Sequence, residues 1–284
     1  MNTTAMTPRF LFIDGSNLLF QMFYGMPARI TGPGGRPIQG TLGFVGALLK
    51  IIRLCAPTHV AAIFDGEHEN PRAALDPDYK ANRPDYSGVP ADELPFSQLP
   101  DICAALDCLG IPHAETTDCE TDDVLAAYAR ACPGEVVLAS FDSDYFQLIT
   151  DRVSVLRYRG EKTVICTPAT IRDKFGIEPG QYADFKALVG DNSDNIRGAE
   201  KVGPKTAAAL LGQFGTLEGI LDRAGEIARP AIRASILRDA DRLRRNLALI
   251  RLDITAALPF PPDALVYTDQ GLTTTDVLRR IGLK

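Results

Sequence analysis

FLFIDGSN, Phe10 to Asn17, is a short apolar run that ends on a carboxylate. Four consecutive apolar residues are too few for a helix and suit a strand covered on both faces. The same pattern returns twice. VAAIFDG sets Asp65 after an apolar run from Val60 to Phe64, and VVLASFDSD sets Asp142 and Asp144 after Val136 to Ala139. Helical periodicity covers Leu42 to Leu54, Leu99 to Leu109 and Asp122 to Ala131, so strand and helix alternate as in a doubly wound α/β sheet. Ligands of such sheets sit outside the carboxyl ends of the strands, which predicts one crevice for the four aspartates.

Further acids lie elsewhere. TTDCETDDVLAAYARA carries Glu120, Asp122 and Asp123 at the front of a helix, where Glu120 and Asp123, three apart, share a face. Thr117-x-x-Glu120 reads as a capping box, and acids in a first turn are favoured by the macrodipole. GDNSDN adds Asp191 and Asp194. Capping and turn formation explain these residues singly, but not their joint presence at strand ends, a helix start and a turn. Carboxylates forced together resist ionisation until a cation neutralises them. Oxygen donors without a histidine or cysteine set favour magnesium or manganese over zinc. A calcium loop fits GDNSDNIRGAEKV poorly, since Ile196 and Val202 stand where glycine and glutamate belong. A haloacid-type phosphatase needs a second acid where Ser16 stands.

The 284 residues, 45% of them hydrophobic, allow one large domain or two smaller ones with a substantial core. No apolar run reaches the ~18 residues of a membrane span, and Met1 to Arg9 lacks the regions of a signal peptide, so a cytoplasmic protein is expected. Six cysteines (Cys55, Cys103, Cys108, Cys119, Cys132, Cys166) form no C-x-x-C pair and read as reduced thiols. A net charge of −6 superficially argues against a nucleic-acid partner. Setting the nine clustered carboxylates aside leaves +3 for the rest, an acidic pit in a mildly basic surface.

GAEKVGPKT, Gly198 to Thr206, matches a nucleotide phosphate loop except for Pro204 before the lysine. It follows the acidic GDNSDNIR instead of a buried strand, which leaves a turn whose backbone amides grip phosphate. ENPRAALDPDYKANRPDYSGVPADELP, Glu69 to Pro95, is rich in proline and charge and reads as a mobile excursion. After Thr167 the pattern is helical to the end of RDADRLRRNLALIR, with short strand-like pieces near Asp253 and Val266. Beyond Pro259 no pattern is legible.

Taken together, FIDGSN, IFDG, DCETDDVLA, SFDSDYFQL and GDNSDNIRGAEKVGPKTA resemble, in order and spacing, the 5′-nuclease or flap endonuclease family. The likeness runs from about Phe10 to about Leu258 and is strongest to the nuclease domain at the front of bacterial family-A DNA polymerases. It implies an α/β fold: a PIN-like twisted, mainly parallel sheet flanked by helices, with a helical arch and a helix-hairpin-helix (H3TH) subdomain. The implied parts are a catalytic core over 1–166 with an arch at about 68–95, a DNA-binding region over 167–258 and a tail over 259–284. No polymerase follows, so a stand-alone, monomeric nuclease is expected.

The resemblance also implies site residues. The family's metal carboxylates match Asp14, Asp65, Glu120, Asp122, Asp123, Asp142, Asp144, Asp191 and Asp194, the first five leaning to one Mg²⁺ or Mn²⁺ and the last four to a second. In the arch, Lys80 and Arg72 would engage the scissile phosphate, Tyr79 would stack a base, and Arg83 would bind DNA. Gly198, Lys201, Gly203, Lys205 and Thr206 would grip duplex phosphates beside a K⁺ ion. Three departures stand out: Lys201 where glycine is usual, Arg197 for a proline, and Gln21 at an often basic position. The implied activity is a two-metal 5′→3′ exonuclease and structure-specific flap endonuclease acting on DNA in replication or repair. An RNA-directed PIN-type nuclease and a non-catalytic DNA-junction-binding protein are the other readings.

Overall fold

The computed structural model describes residues 7–67, 71–83, 86 and 88–284. The first part of the chain runs β1 (Arg9–Asp14), α1 (Gly15–Gly25), α2 (Gln39–Cys55), β2 (His59–Phe64), α3 (Leu99–Leu109), β3 (His113–Glu115), α4 (Thr121–Ala131), β4 (Glu135–Ala139), β5 (Val153–Arg157) and β6 (Val164–Cys166). The six strands form one sheet in the order β3-β2-β1-β4-β5-β6, parallel except where β5 meets β6. Strand order changes direction at β1, and Asp14 and Asp65 leave neighbouring strands there, with Asp14 aligned to Ile63 and Ile13 to Ala139. A crevice at that point follows from the connectivity.

The apolar runs are explained by cover on both faces. Phe10 and Phe12 face α4, where Phe12 stacks on Tyr128 with ring centroids 4.4 Å apart. Leu11 and Ile13 face the opposite way, into a cluster with Phe44 and Leu48 of α2 and Leu106 of α3. Truncating Phe12 to alanine would cost about 3–5 kcal/mol.

The second part is helical: α5 (Pro168–Phe175), α6 (Tyr182–Val189), a two-stranded ribbon of β7 (Gly190–Asp191) and β8 (Ile196–Arg197), then α7 (Pro204–Phe214), α8 (Leu217–Asp222), α9 (Pro230–Arg238), α10 (Ala240–Ile250) and α11 (Thr274–Arg280). The core on the α4 face continues without a break through Leu188, Leu211 and Leu247, so the helical part is packed against the sheet part. The illegible tail has a definite place. It pairs Val266 with His59 in a single bridge, and α11 packs on α2 and α3.

Several expectations are corrected. The sequence pattern gives no strand at β3, β5 or β6, the chain at Asp253 is irregular, and GDNSDNIR closes into the small ribbon. The Thr117 capping box does not form: α4 begins at Thr121 with Glu120 as its N-cap, and the Thr117 hydroxyl bonds Asp118. The segment expected as a mobile helical arch contains the 3-10 turns Pro71–Ala74, Ala91–Glu93 and Pro95–Gln98, and its described residues 71–83 are docked on the protein. Residues 68–70, 84, 85 and 87 of that segment lie outside the described residues.

Candidate active site

Asp14 ends β1 and caps α1, accepting from the Asn17 amide at 3.0 Å. Its other oxygen accepts from the Ser140 hydroxyl at 2.8 Å and the Tyr145 hydroxyl at 3.2 Å. Asp65 directly follows β2 and accepts from the Thr121 amide at 3.0 Å, which ties it to the start of α4. These two, with Glu120, Asp122 and Asp142, line one cleft of about 650 Å³ that Lys80, Arg83, Phe20 and Phe96 also border. Burial, and next the charge of Asp65, pushes the Asp14 carboxyl up to about 7. Burial and the charges of Glu120 and Asp142 raise Asp122 well above the usual carboxylate range.

A second group lies beside it. One oxygen each of Asp144, Asp191 and Asp194 falls within 4.8 Å of the others. Lys186 of α6, buried at 7% exposure, places its ammonium between Asp144 and Asp191 and bonds both. Burial pushes Asp144 up to about 7 despite Lys186, helped by the charge of Asp142. Burial opposes ionisation of Asp191 too, but Lys186 and Ser193 outweigh it and hold the carboxyl below its ordinary range. Asp142 joins the two groups, since its carboxylate accepts from the Asp144 amide at 2.8 Å while its side chain faces the cleft. This oxygen-only set of partly buried, mutually repelling carboxylates fits hard divalent cations.

The arch residues meet the acids directly. Arg72 is buried and bonds Glu120, while its two terminal nitrogens grip Asp123 at 2.9 and 2.6 Å. The second Asp123 contact is the Asp253 amide at 2.8 Å, so Asp123 faces away from the cleft that its neighbours line. Lys80 bonds the other oxygen of Glu120, and the Tyr79 hydroxyl donates to Glu120 at 3.3 Å. Burial would raise Glu120, yet Lys80 and Arg72 outweigh it and hold the carboxyl low. Tyr79 is buried, without the open ring face that the sequence suggested. Lys80 also docks the arch on the second group: its amide donates to the Asp194 carbonyl at 3.0 Å, and Arg83 reaches Asp194 at 3.4 Å.

The phosphate-loop-like stretch is a turn into α7. Gly203 is its N-cap without a side-chain cap, Pro204 fills the first turn where no amide is needed, and Gly203, Pro204 and Lys205 are exposed. Thr206 is half-buried in the same turn. Lys201 takes φ +64, the left-handed conformation expected where glycine is usual. Gly198 has a packing role: a Cβ there would meet the Val189 carbonyl carbon at 2.3 Å. Gln21 bonds the Tyr158 carbonyl at 2.7 Å, and Arg197 is exposed on β8.

Sequence reasoning missed Lys186, Ser140 and Tyr145. The signal for Lys186 was a single charge inside the apolar FKALV that precedes GDNSDN. Ser140 and Tyr145 flank the predicted Asp142 and Asp144, but their hydroxyls serve Asp14, more than a hundred residues away.

Residues 9–176 match the family model of the 5′-3′ exonuclease N-terminal resolvase-like domain, and residues 177–271 match that of the 5′-3′ exonuclease C-terminal SAM fold. Among curated proteins, DNA polymerase I of Rhizobium leguminosarum is 35% identical over 269 residues, 91% of this chain and 26% of the polymerase. The thermostable DNA polymerase I of Thermus aquaticus is 35% identical over 257 residues, 89% of this chain and 30% of the polymerase. The chain thus spans between a quarter and a third of the length of these relatives. Among solved structures, T5 5′-exonuclease with zinc bound superposes with TM-score 0.71 at 22% identity, covering 96% of this chain and 97% of that one. The catalytic core of Rad2 in complex with DNA substrate superposes with TM-score 0.59 at 16% identity, covering 98% and 94%. These likenesses show the fold. Matched by both family models in succession and aligned with the polymerases over about nine-tenths of its length, the chain belongs to the 5′-3′ exonuclease family.

Proposed function

We propose that the protein is a divalent-metal-dependent 5′→3′ exonuclease and structure-specific 5′-flap endonuclease that hydrolyses DNA phosphodiesters in replication or repair. The observation that carries this is the convergence of Asp14, Asp65, Glu120, Asp122 and Asp142 on one cleft, with Asp144, Asp191 and Asp194 beside it. The first five would hold one Mg²⁺ or Mn²⁺, and the second group another. Such ions supply a lowered pKa for an attacking water and neutralise charge at the scissile phosphate.

The chain's own side chains set that chemistry up. Ser140 and Tyr145 fix the orientation of Asp14, and Thr121 does so for Asp65. Arg72 orients Glu120 and Asp123 as a positioning residue. Lys80, which borders the cleft, exchanges Glu120 for a phosphate oxygen when DNA enters, aided by Arg83. Tyr79 supports the arch through Glu120. The uncapped amides at the start of α7, with Lys201, Lys205 and Thr206, would hold a duplex arm by its phosphates. Contacts of this kind carry little base preference. The protein acts as a monomer with a catalytic core over 1–166, a DNA-binding region over 167–258 and a tail over 259–284.

An end-labelled 5′-flap duplex incubated with purified protein, with and without Mg²⁺, tests the reading. Cutting next to the junction only with the metal is the expected result. Cleavage in EDTA, or no cleavage of the flap under any divalent ion, would overturn it. A matched RNA flap separates the RNA-directed alternative.

A further inference from the structure

A second cleft, of about 300 Å³, opens between β5, β6 and α5. Arg157, Arg159, Lys162 and Lys174 line it together with the rings of Phe141 and Phe146. Among the described residues none of these four cations forms an ion pair. Arg172, two residues before Lys174 on the same helix, holds Glu178 instead. The Arg157 guanidinium lies over Phe141 at 4.9 Å and Phe146 at 5.6 Å, donates to the Phe141 carbonyl at 2.8 Å, and keeps a buried Nε without a partner. Arg159, Lys162 and Lys174 are exposed.

The position matters as much as the charge. Phe141 precedes Asp142, so the wall of this cleft is the loop that carries a cleft carboxylate on its next residue. On the other side α5 packs against α7, and a Cβ built at Gly176, the C-cap of α5, would meet Ala208 of α7 at 3.7 Å. The basic cleft therefore adjoins both the acid site and the helix whose free amides lead toward solvent.

We infer that the β5–β6–α5 cleft is a second DNA-contact surface, which takes the phosphate backbone of the duplex arm beyond the point where α7 holds it. The chemistry is that of unpaired cations presented to phosphates, with the stacked Arg157 as a rigid floor and Arg159, Lys162 and Lys174 as point charges. This rests on the nuclease reading and lengthens the duplex footprint without touching the acid site.

The test is equilibrium binding of a flap with a long duplex arm, in EDTA, as a function of salt. Arg159→Ala with Lys162→Ala, both exposed and outside the catalytic cleft, should lower the slope of log K against log salt by about two. With Mg²⁺ present, KM should rise while kcat stays within about twofold. Lys174→Ala, made separately, should lower the slope by about one. Unchanged slopes in both variants would overturn the inference, and so would equal losses on bare single-stranded DNA, which would assign the cleft to a single strand. Lys205→Ala at α7 keeps the two failures apart. If that change alone weakens binding, the second surface falls and the nuclease reading stands; if the wild-type protein binds no flap, the nuclease reading itself falls.

Discussion

The two acidic groups of the site face the same electrostatic problem and solve it differently. In the cleft at the ends of β1 and β2, the balancing cations Arg72 and Lys80 come from the arch, a segment built of short turns. In the second group the cation is Lys186, fixed on a helix of the core. Of the two arch cations, Lys80 borders the open cleft, while Arg72 is buried against Asp123. A cation on a buried helix stays, and shares its carboxylates with whatever ion arrives. The contrast is between a cation carried at the rim of the cleft on a turn and one carried on a core helix.

The largest effect that would break this contrast is on cleavage. Asp122→Asn, in the cleft group, should reduce Mg²⁺-dependent flap cutting by on the order of 10²-fold or more, with circular dichroism and flap binding in EDTA largely kept. Wild-type cutting by that variant would remove the cleft from the chemistry.

Stability sharpens the other half. Lys186→Met leaves Asp144 and Asp191 buried without their cation and should cost about 3–5 kcal/mol in urea unfolding without metal, partly restored by Mg²⁺. Lys80→Met should cost no more than about 2 kcal/mol, because Glu120 keeps Arg72. Equal losses would erase the distinction between the two groups.

The folded-state value of Asp14 is about 7, above its ordinary 3.8, so the unfolded chain releases this proton first as pH rises. Stability from this group is therefore lost between about pH 4 and 7. In EDTA the melting temperature of Asp14→Asn relative to wild type should climb across that window and level off above it. A flat difference would mean that Asp14 does not carry the strain of the cleft.

The smallest effect lies away from both groups. Lys201 holds φ +64, and replacing it with glycine should relieve roughly 1 kcal/mol, read as a small rise in melting temperature. A loss of stability would show instead that the lysine side chain supports the turn.

The sheet was legible because its central strands are covered on both faces and are therefore written as unbroken apolar runs. β5 and β6, short and near the edge, lack that signature; Val164 and Ile165 of β6 are exposed. The carboxylates were legible as residues but not as a partition. Glu120 looked like the end of a capping box, yet its side chain turns to Arg72 and Lys80, and Asp123, on the same helix face, is drawn away from the cleft by Arg72 and the Asp253 amide. Gly198 looked like a phosphate-gripping residue and is required by the close approach of the backbone at Val189.

What the sequence determined by itself is which side chains stand at strand ends and helix starts, because apolar period and turn chemistry are local properties of the chain. Only the tertiary structure decided which cation neutralises which acid. Arg72 and Glu120 are 48 residues apart, and Lys186 and Asp144 are 42 apart. Pairings over such separations are chosen by how the layers pack and by the energetic cost of leaving a buried charge alone, and no local pattern encodes either.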